Sequence, residues 1–123
     1  MRPVAGLVGN DDGSATIVAA FAIAALAAVV VSVLYVGSAV LARHHAQSAA
    51  DLAALAAASS LAQAHTEPCQ VARLLADAQV PPARVTACRV DGDDVQVEVA
   101  VRVEMGRFGI HDATAHARAG PAS

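Results

Sequence analysis

A run from Ala15 to Ala42 contains no charged residue, and it decides much of how this chain can fold. Ala, Val, Ile and Leu dominate the run. A helix rises about 1.5 Å per residue, so about 20 residues cross a hydrocarbon layer of roughly 30 Å. The run is long enough to span a membrane, and the rest of the chain is too short to cover a helix of that length. We expect a transmembrane helix over residues 15–42.

A removable secretory signal is the main alternative for this run. The apolar part of such a signal is usually about 7 to 15 residues long and follows a positively charged segment. Here the run is longer, and Asp11 and Asp12 precede it. The sequence therefore favours a retained anchor. Under the alternative, the mature chain would begin near Ala46 or Ala50.

The segments on either side of the run differ in helix propensity. Residues 1–14 contain Pro3 and several glycines without apolar periodicity, which indicates a flexible leader. Residues 43–65 are rich in Ala, the strongest helix former, so the transmembrane helix should continue through this extension. A modest apolar stripe runs along the extension, with Ser48 and Asp51 beside it; its members are Leu52, Leu55 and Ala56.

Residues 66–123 predict a small domain that starts with a short helix. Thr66 suits the N-cap, and Glu67 and Pro68 suit the first turn. Pro81-Pro82 ends the helix. The spacing i, i+3, i+4, i+7 predicts one buried face, formed by Val71, Leu74, Leu75 and Ala78.

The apolar period then changes from 3.6 to 2, which indicates strands. Valines alternate with mostly polar residues from Val95 to Val103, a pattern typical of a half-buried strand. Arg84–Val90 forms a shorter strand, and Asp91-Gly92-Asp93 suits the hairpin between the two. The segment Asp112–Arg118 is a weaker, edge-strand candidate. The sequence therefore predicts an α+β fold: a long N-terminal transmembrane helix extended into one short helix and a two- to three-stranded antiparallel sheet.

The two cysteines, Cys69 in the short helix and Cys88 in the first strand, favour an extracytoplasmic domain. Their elements must pack together if the sheet is to bury its apolar face. A disulfide there closes a loop of about 20 residues, which stabilises the fold by roughly 3 kcal/mol. Disulfides persist outside the cytoplasm. Two unpaired buried thiols remain the alternative, whereas a metal site lacks the ligands for a tetrahedral set.

Other chemistry is weakly indicated. A net charge of -3 without lysine argues against nucleic-acid binding. No catalytic motif is present, so we expect no enzyme, no cofactor and no small-molecule substrate. A proton relay or a metal site is suggested by His44, His45 and Asp51. The favoured interpretation is a ring of polar residues at the membrane interface. For His111 and His116, exposure to solvent on a strand and a loop is as good an explanation as a chemical role.

The transmembrane helix has a face of small residues. Four of them recur every fourth position, and such a face lets helix backbones approach closely in lipid. Any alanine-rich helix also shows such a face by chance, so both interpretations stay open. The four residues are Ala20, Ala24, Ala28 and Ser32.

Several segments together resemble a known family. Gly13–Thr16, the apolar run and the block Arg43–Ala58 are similar to the TadE/TadG-like proteins of Flp-type pilus assembly. The chain most resembles the short actinobacterial TadE-like branch, in which a helix cysteine, a strand cysteine and a Val-alternating strand follow. Cys69, Cys88 and Val95–Val103 match that order.

The resemblance implies a minor pseudopilin-like component of a Tad secretion or adhesion machine. Its N-terminus would be cytoplasmic and its domain external, and its partners would be membrane lipid and other pilin-like or Tad membrane proteins. Asp51 would pair with Arg43 or with an arginine of a neighbour.

The resemblance also implies a prepilin-peptidase site between Gly13 and Ser14. Cleavage there places Val18 at the fifth mature position, where pilin-like members have Glu. Uncut residence in the membrane therefore stays open, as do a secreted small protein and a membrane-anchored binding module of an envelope complex.

Overall fold

The computed structural model describes residues 4–104 and 106–122, with side chains described for residues 13–104, 106, 107 and 109–122. It contains two helices and three strands, with a single 3-10 turn before the last strand. The predicted α+β fold is confirmed, including the third strand. In chain order the elements are α1 (Val4–Ala62), α2 (Pro68–Asp77), β1 (Ala83–Asp91), β2 (Asp94–Glu104), the turn Gly106–Phe108 and β3 (Ile110–Ala119).

The start of α1 differs from the prediction. The helix begins at Val4, so most of the segment predicted as a flexible leader over residues 1–14 is helical, while residues 1–3 lie outside the described residues. Extending an existing helix adds one hydrogen bond per residue, whereas nucleating a helix is costly. The long apolar helix therefore propagates upstream through the glycines to Val4.

The chain divides into two compact units, Met1–Gly37 and Ser38–Ser123. In the first unit, the described side chains of α1 are exposed, apart from the half-buried Tyr35, and they include large apolar ones such as Phe21, Leu26 and Val33. Among the described residues, one helix is long and apolar enough to cross a membrane. The exposed apolar surface matches what the charge-free sequence predicts for a lipid-facing helix.

The second unit has a core made of small residues from α1 and branched residues from β2. The buried side of α1 carries alanines at i, i+3, i+4 spacing, and they form one cluster with the strand valines. The four largest fully buried side chains belong to β2. The buried alanines are Ala46, Ala49, Ala50, Ala53, Ala54 and Ala57, and the valines are Val95, Val97, Val99 and Val101.

The leucines of the α1 extension lie on the other side. Leu52 is 44% exposed and Leu55 is 60% exposed, whereas Ala53 and Ala57 are fully buried. The apolar stripe that the sequence marks is therefore not the face that contacts the sheet. The alanines of α1 form one buried cluster with the branched valines of β2, so the small side chains of α1, and not its leucines, face the sheet.

The sheet has the order β1-β2-β3, with both neighbouring pairs antiparallel. Asp91 pairs with Asp94, so a two-residue turn of Gly92 and Asp93 joins β1 to β2. Gly92 has φ 61°, and it occupies the first central position, which a type II′ hairpin turn gives to Gly. The register between β1 and β2 shifts between Val85 and Ala87, where Thr86 is the extra residue.

Helix α2 begins one residue later than predicted. Glu67 and not Thr66 is the N-cap, without a side-chain capping hydrogen bond, while Pro68 occupies the first turn as expected. The buried face is also rotated from the predicted one. Leu74 and Ala78 are exposed, Val71 and Leu75 are half-buried, and the fully buried residues are Pro68, Ala72 and Ala76. As in α1, alanines rather than leucines line the contact with the sheet.

The C-terminus of α1 is closed by a left-handed residue. Ala64 has φ 60°, its amide donates to the carbonyl of Leu61 at 2.9 Å, and the amide of His65 donates to the carbonyl of Ser60 at 3.1 Å. These two bonds form a Schellman motif, in which the left-handed position usually belongs to Gly. The motif ends the helix and redirects the chain toward α2.

Candidate assembly site

Gln47 connects α1 to the edge of the sheet. Its Nε2 donates to Oδ1 of Asp51 at 3.0 Å and to the backbone carbonyl of His116 in β3 at 3.2 Å. An amide nitrogen carries two protons, so both bonds form together. Asp51 thereby holds the amide of Gln47 in the orientation that reaches the strand.

A second polar contact lies just before this one on α1. Nε2 of His45 is 3.1 Å from the backbone carbonyl of Pro81, in the loop between α2 and β1. A carbonyl only accepts, so the bond requires a proton on Nε2. His45 and Gln47 together fix the start of the extension against two separate parts of the domain.

The suggested pairing of Asp51 with Arg43 does not occur within the chain. The two residues are eight positions apart on one helix, which is about 12 Å along its axis. Asp51 accepts from Gln47 instead, and both Asp51 and Arg43 are exposed. Both side chains remain accessible to another molecule, so their suggested role in assembly stays a prediction.

The outer side of the α1 extension combines apolar and polar residues. Leu52 and Leu55 lie beside Asp51, with Ser48 one turn before Leu52 and Ser59 one turn after Leu55; all five are exposed. This side is opposite the buried alanines. A partner helix could contact this side without disturbing the buried face.

In the first unit, the structure places the predicted helix-packing residues on the exposed surface of α1. Ala20, Ala24 and Ala28 are exposed, and Oγ of Ser32 donates to the carbonyl of Ala28 at 2.7 Å. That bond satisfies the hydroxyl within the helix, which suits an apolar environment. Gly13 and Ser14 also lie within α1, and a Cβ built on Gly13 meets no atom within 4 Å.

Cys69 and Cys88 form a disulfide that joins α2 to β1, as the sequence predicts. Both residues are half-buried, and the bond spans 19 positions of the chain. It ties the short helix to the strand at the edge of the sheet, where α2 makes its contacts. The disulfide thus closes the domain on the side away from β3.

The outer face of the sheet is covered by charged pairs between strands. Arg84 pairs with Asp112 at 3.3 Å, and Nδ1 of His116 lies 3.4 Å from Oε2 of Glu98. The hydrogen bond that Arg118 donates to Asp94 raises the pKa of that guanidinium above its usual value. In each of these pairs, a basic group of one strand faces an acidic group of another strand.

The described part of the chain offers little for catalysis or metal binding. A groove of about 660 Å³ lies open on the outer face of the sheet beside Glu98 and His116. Among the residues whose side chains the structure describes, no group of three His, Cys, Asp or Glu residues could hold a metal ion. His44 is exposed, His45 contacts the carbonyl of Pro81 and Asp51 accepts from Gln47, so the three do not form a relay.

Two features were missed from the sequence. Gln47 was not singled out, because its partner His116 lies 69 positions away and no local pattern marks that contact. The alanine face of α1 did leave a signal, namely alanines at i, i+3 and i+4 positions, but in an alanine-rich helix several faces share it. Ser60 closes that face: it is buried, and its Oγ has no hydrogen-bond partner among the described atoms.

Residues 13–60 match the family described as Flp pilus-assembly TadE/G-like (Tad). No curated protein and no solved structure matches the chain significantly. The matched segment contains the charge-free helix and ends at Ser60, and it includes Gln47, Asp51 and all the buried alanines of α1.

The Tad family is a structural or assembly family and not a family of enzymes. Together with the long apolar helix, the match indicates a membrane-anchored protein with a role related to pilus assembly and with other pilus-assembly proteins as partners. The match over residues 13–60 supports membership of the TadE/G-like family of Flp pilus-assembly proteins.

Proposed function

We propose that this protein is a minor pseudopilin-like component of a Tad secretion or adhesion machine, of the short actinobacterial TadE-like type. One helix spans the cytoplasmic membrane with its N-terminus inside, and the disulfide-bonded domain lies outside. The observation that carries the proposal is the position of the family match, since residues 13–60 combine the charge-free helix with the block that packs on the sheet.

Two surfaces of α1 are suited to contacts with other subunits. In the membrane, Ala20, Ala24, Ala28 and Ser32 provide a small-residue face for a neighbouring helix. Outside, Leu52 and Leu55 are exposed beside Asp51. Because the domain's own core uses the alanine side of α1, the leucine side is available to another pilus-assembly protein, and an arginine of that protein is the proposed partner of Asp51.

The disulfide supports an external domain, because such bonds persist outside the cytoplasm. The burial of Ala46, Ala49 and Ala50 argues against a secreted form that starts near residue 50. Cleavage there would remove His45, Gln47 and part of the buried face of α1. A retained helix keeps all of these contacts.

Fractionation of cells with N-terminal sequencing tests the proposal. A membrane-bound chain that starts at Ser14 or at Met1, and that co-purifies with the secretion ATPase and platform proteins of the machine, is the expected result. A mature start near Ala46 or Ala50 in the secreted fraction contradicts it. Membrane residence without any pilus-assembly partner favours the anchored binding module instead.

A further inference from the structure

Two loops at one end of the second unit carry large apolar side chains that are exposed. Val80, in the loop between α2 and β1, is 88% exposed, and Ile110, at the start of β3, is 57% exposed. Single exposed apolar residues are common on protein surfaces. Val80 and Ile110 are of interest because of where they lie relative to the charge-free run.

The Val80 loop lies beside α1 where the charge-free run ends. Nε2 of His45 contacts the carbonyl of Pro81 at 3.1 Å, and Val80 is the preceding residue. Arg43, the first charged residue after the run, is two positions before His45, which is about 3 Å along the helix. Val80 is therefore held close to the level at which α1 leaves the hydrocarbon.

The loop between β2 and β3 lies at the same end of the unit. Ala83, the first residue of β1, pairs with Val101, which in turn pairs with Ala113. Beyond this row of paired residues, β2 and β3 continue as far as the pair of Glu104 with Ile110. Three further residues at about 3.3 Å each carry the loop roughly 10 Å past the start of β1.

We propose that these two loops rest on the outer surface of the bilayer, with Val80 and Ile110 inserted into its interfacial layer. The proposal depends on the membrane anchoring of the proposed function. Leu41, 71% exposed on α1 just before Arg43, continues the same lipid contact.

Charges at this end of the unit fit a phosphate layer. Arg43 and Arg107, the latter in the β2–β3 turn, are both exposed and can reach lipid phosphates. The acidic groups nearby are Asp112, which is paired with Arg84, and Glu104, which is exposed. A bilayer is the favoured partner of the two loops, because they lie close to Arg43, the residue at which the helix emerges from lipid.

The chain contains no Trp, so single Trp substitutions report on each position separately. The test uses the purified full-length chain in nanodiscs of phosphatidylcholine with brominated acyl chains. The bromine atoms quench Trp fluorescence at short range. Val80→Trp and Ile110→Trp probe the two loops. Val90→Trp, at the hairpin end of the sheet, is the matched control and carries the same preference of Trp for interfaces. Phe21→Trp, in the apolar run, reports the anchoring itself.

The expected result is a strong loss of Trp fluorescence at position 21 and a nearly equal loss at positions 80 and 110. At position 90 the fluorescence should be unchanged. Quenching at position 21 without any at 80 and 110 overturns the loop contact and leaves the anchor intact. Absence of quenching at position 21 overturns the anchoring, and the loop proposal with it. Equal quenching at 80, 110 and 90 also overturns the proposal, because the contact is then not confined to this end.

Discussion

Gln47 of α1 donates a hydrogen bond to the backbone carbonyl of His116 in β3 at 3.2 Å, and the same nitrogen binds the carboxylate of Asp51. An edge strand has backbone groups without a neighbouring strand, and such edges invite pairing with other chains. The side chain of Gln47 occupies one of these groups. The family-matched block of α1 therefore contacts the edge of the sheet.

Gln47→Ala is expected to lower the free energy of unfolding by about 1 kcal/mol, the usual net contribution of one hydrogen bond. The loss should appear as faster amide hydrogen exchange in β3, measured by mass spectrometry on the chain in detergent. Ser48→Ala, at the exposed neighbouring position, is the control and should leave exchange in β3 unchanged. Equal protection of β3 in the Gln47→Ala and wild-type chains would show that the bond does not stabilise the edge.

The buried alanines of α1 give a second prediction. Ala53→Leu places a larger side chain against the valines of β2 and should destabilise the domain by about 1–3 kcal/mol. Leu55→Ala removes an exposed side chain and should change stability by less than about 0.5 kcal/mol. Denaturant unfolding of both variants measures this. The reverse order of effects would mean that the leucine side, and not the alanine side, contacts the sheet.

The C-terminus of α1 offers a stabilising substitution. Ala64 has φ 60°, a conformation that costs a residue with a Cβ about 1 kcal/mol relative to Gly. Ala64→Gly should therefore raise the free energy of unfolding by up to about 1 kcal/mol. Ala62→Gly, at the last position of the helix, should lower it, since Gly weakens helices. A destabilised Ala64→Gly chain would contradict the left-handed cap.

The disulfide between Cys69 and Cys88 should account for much of the domain's stability. Its loop predicts a contribution of roughly 3 kcal/mol, which is large for a small domain with few aromatic residues. Cys69→Ser and Cys88→Ser should each lower protein abundance, and the double variant should resemble the single ones because all three lack the same bond. Immunoblots of membrane fractions measure this. Unchanged abundance in every variant would mean that the bond is not structural.

The strands could be predicted from the sequence because their signal is local. Alternating valines from Val95 to Val103 require a sheet with one buried face, and the Asp-Gly-Asp sequence places the turn. Both cysteines fall in elements that this topology must bring together. The α+β class and the disulfide follow from these local patterns.

The buried faces of the helices could not be predicted in the same way. Hydrophobicity favours Leu52 and Leu74 as buried residues, but both are exposed while neighbouring alanines are buried. Which side of a helix turns inward depends on how closely its backbone approaches the sheet, and that distance is a tertiary property. The contact of Gln47 with His116 depends on the same packing.

The location and redox state of the domain can be measured together on the full-length chain in intact cells. Membrane fractions are treated with a thiol-reactive mass label, with and without prior reduction, and external protease is added to cells before lysis. A membrane-bound chain, labelled only after reduction and cut from outside in its C-terminal domain, is the predicted result. A full-length chain that is soluble in the cytosol, with both thiols labelled directly and protected from external protease, would contradict the proposed function.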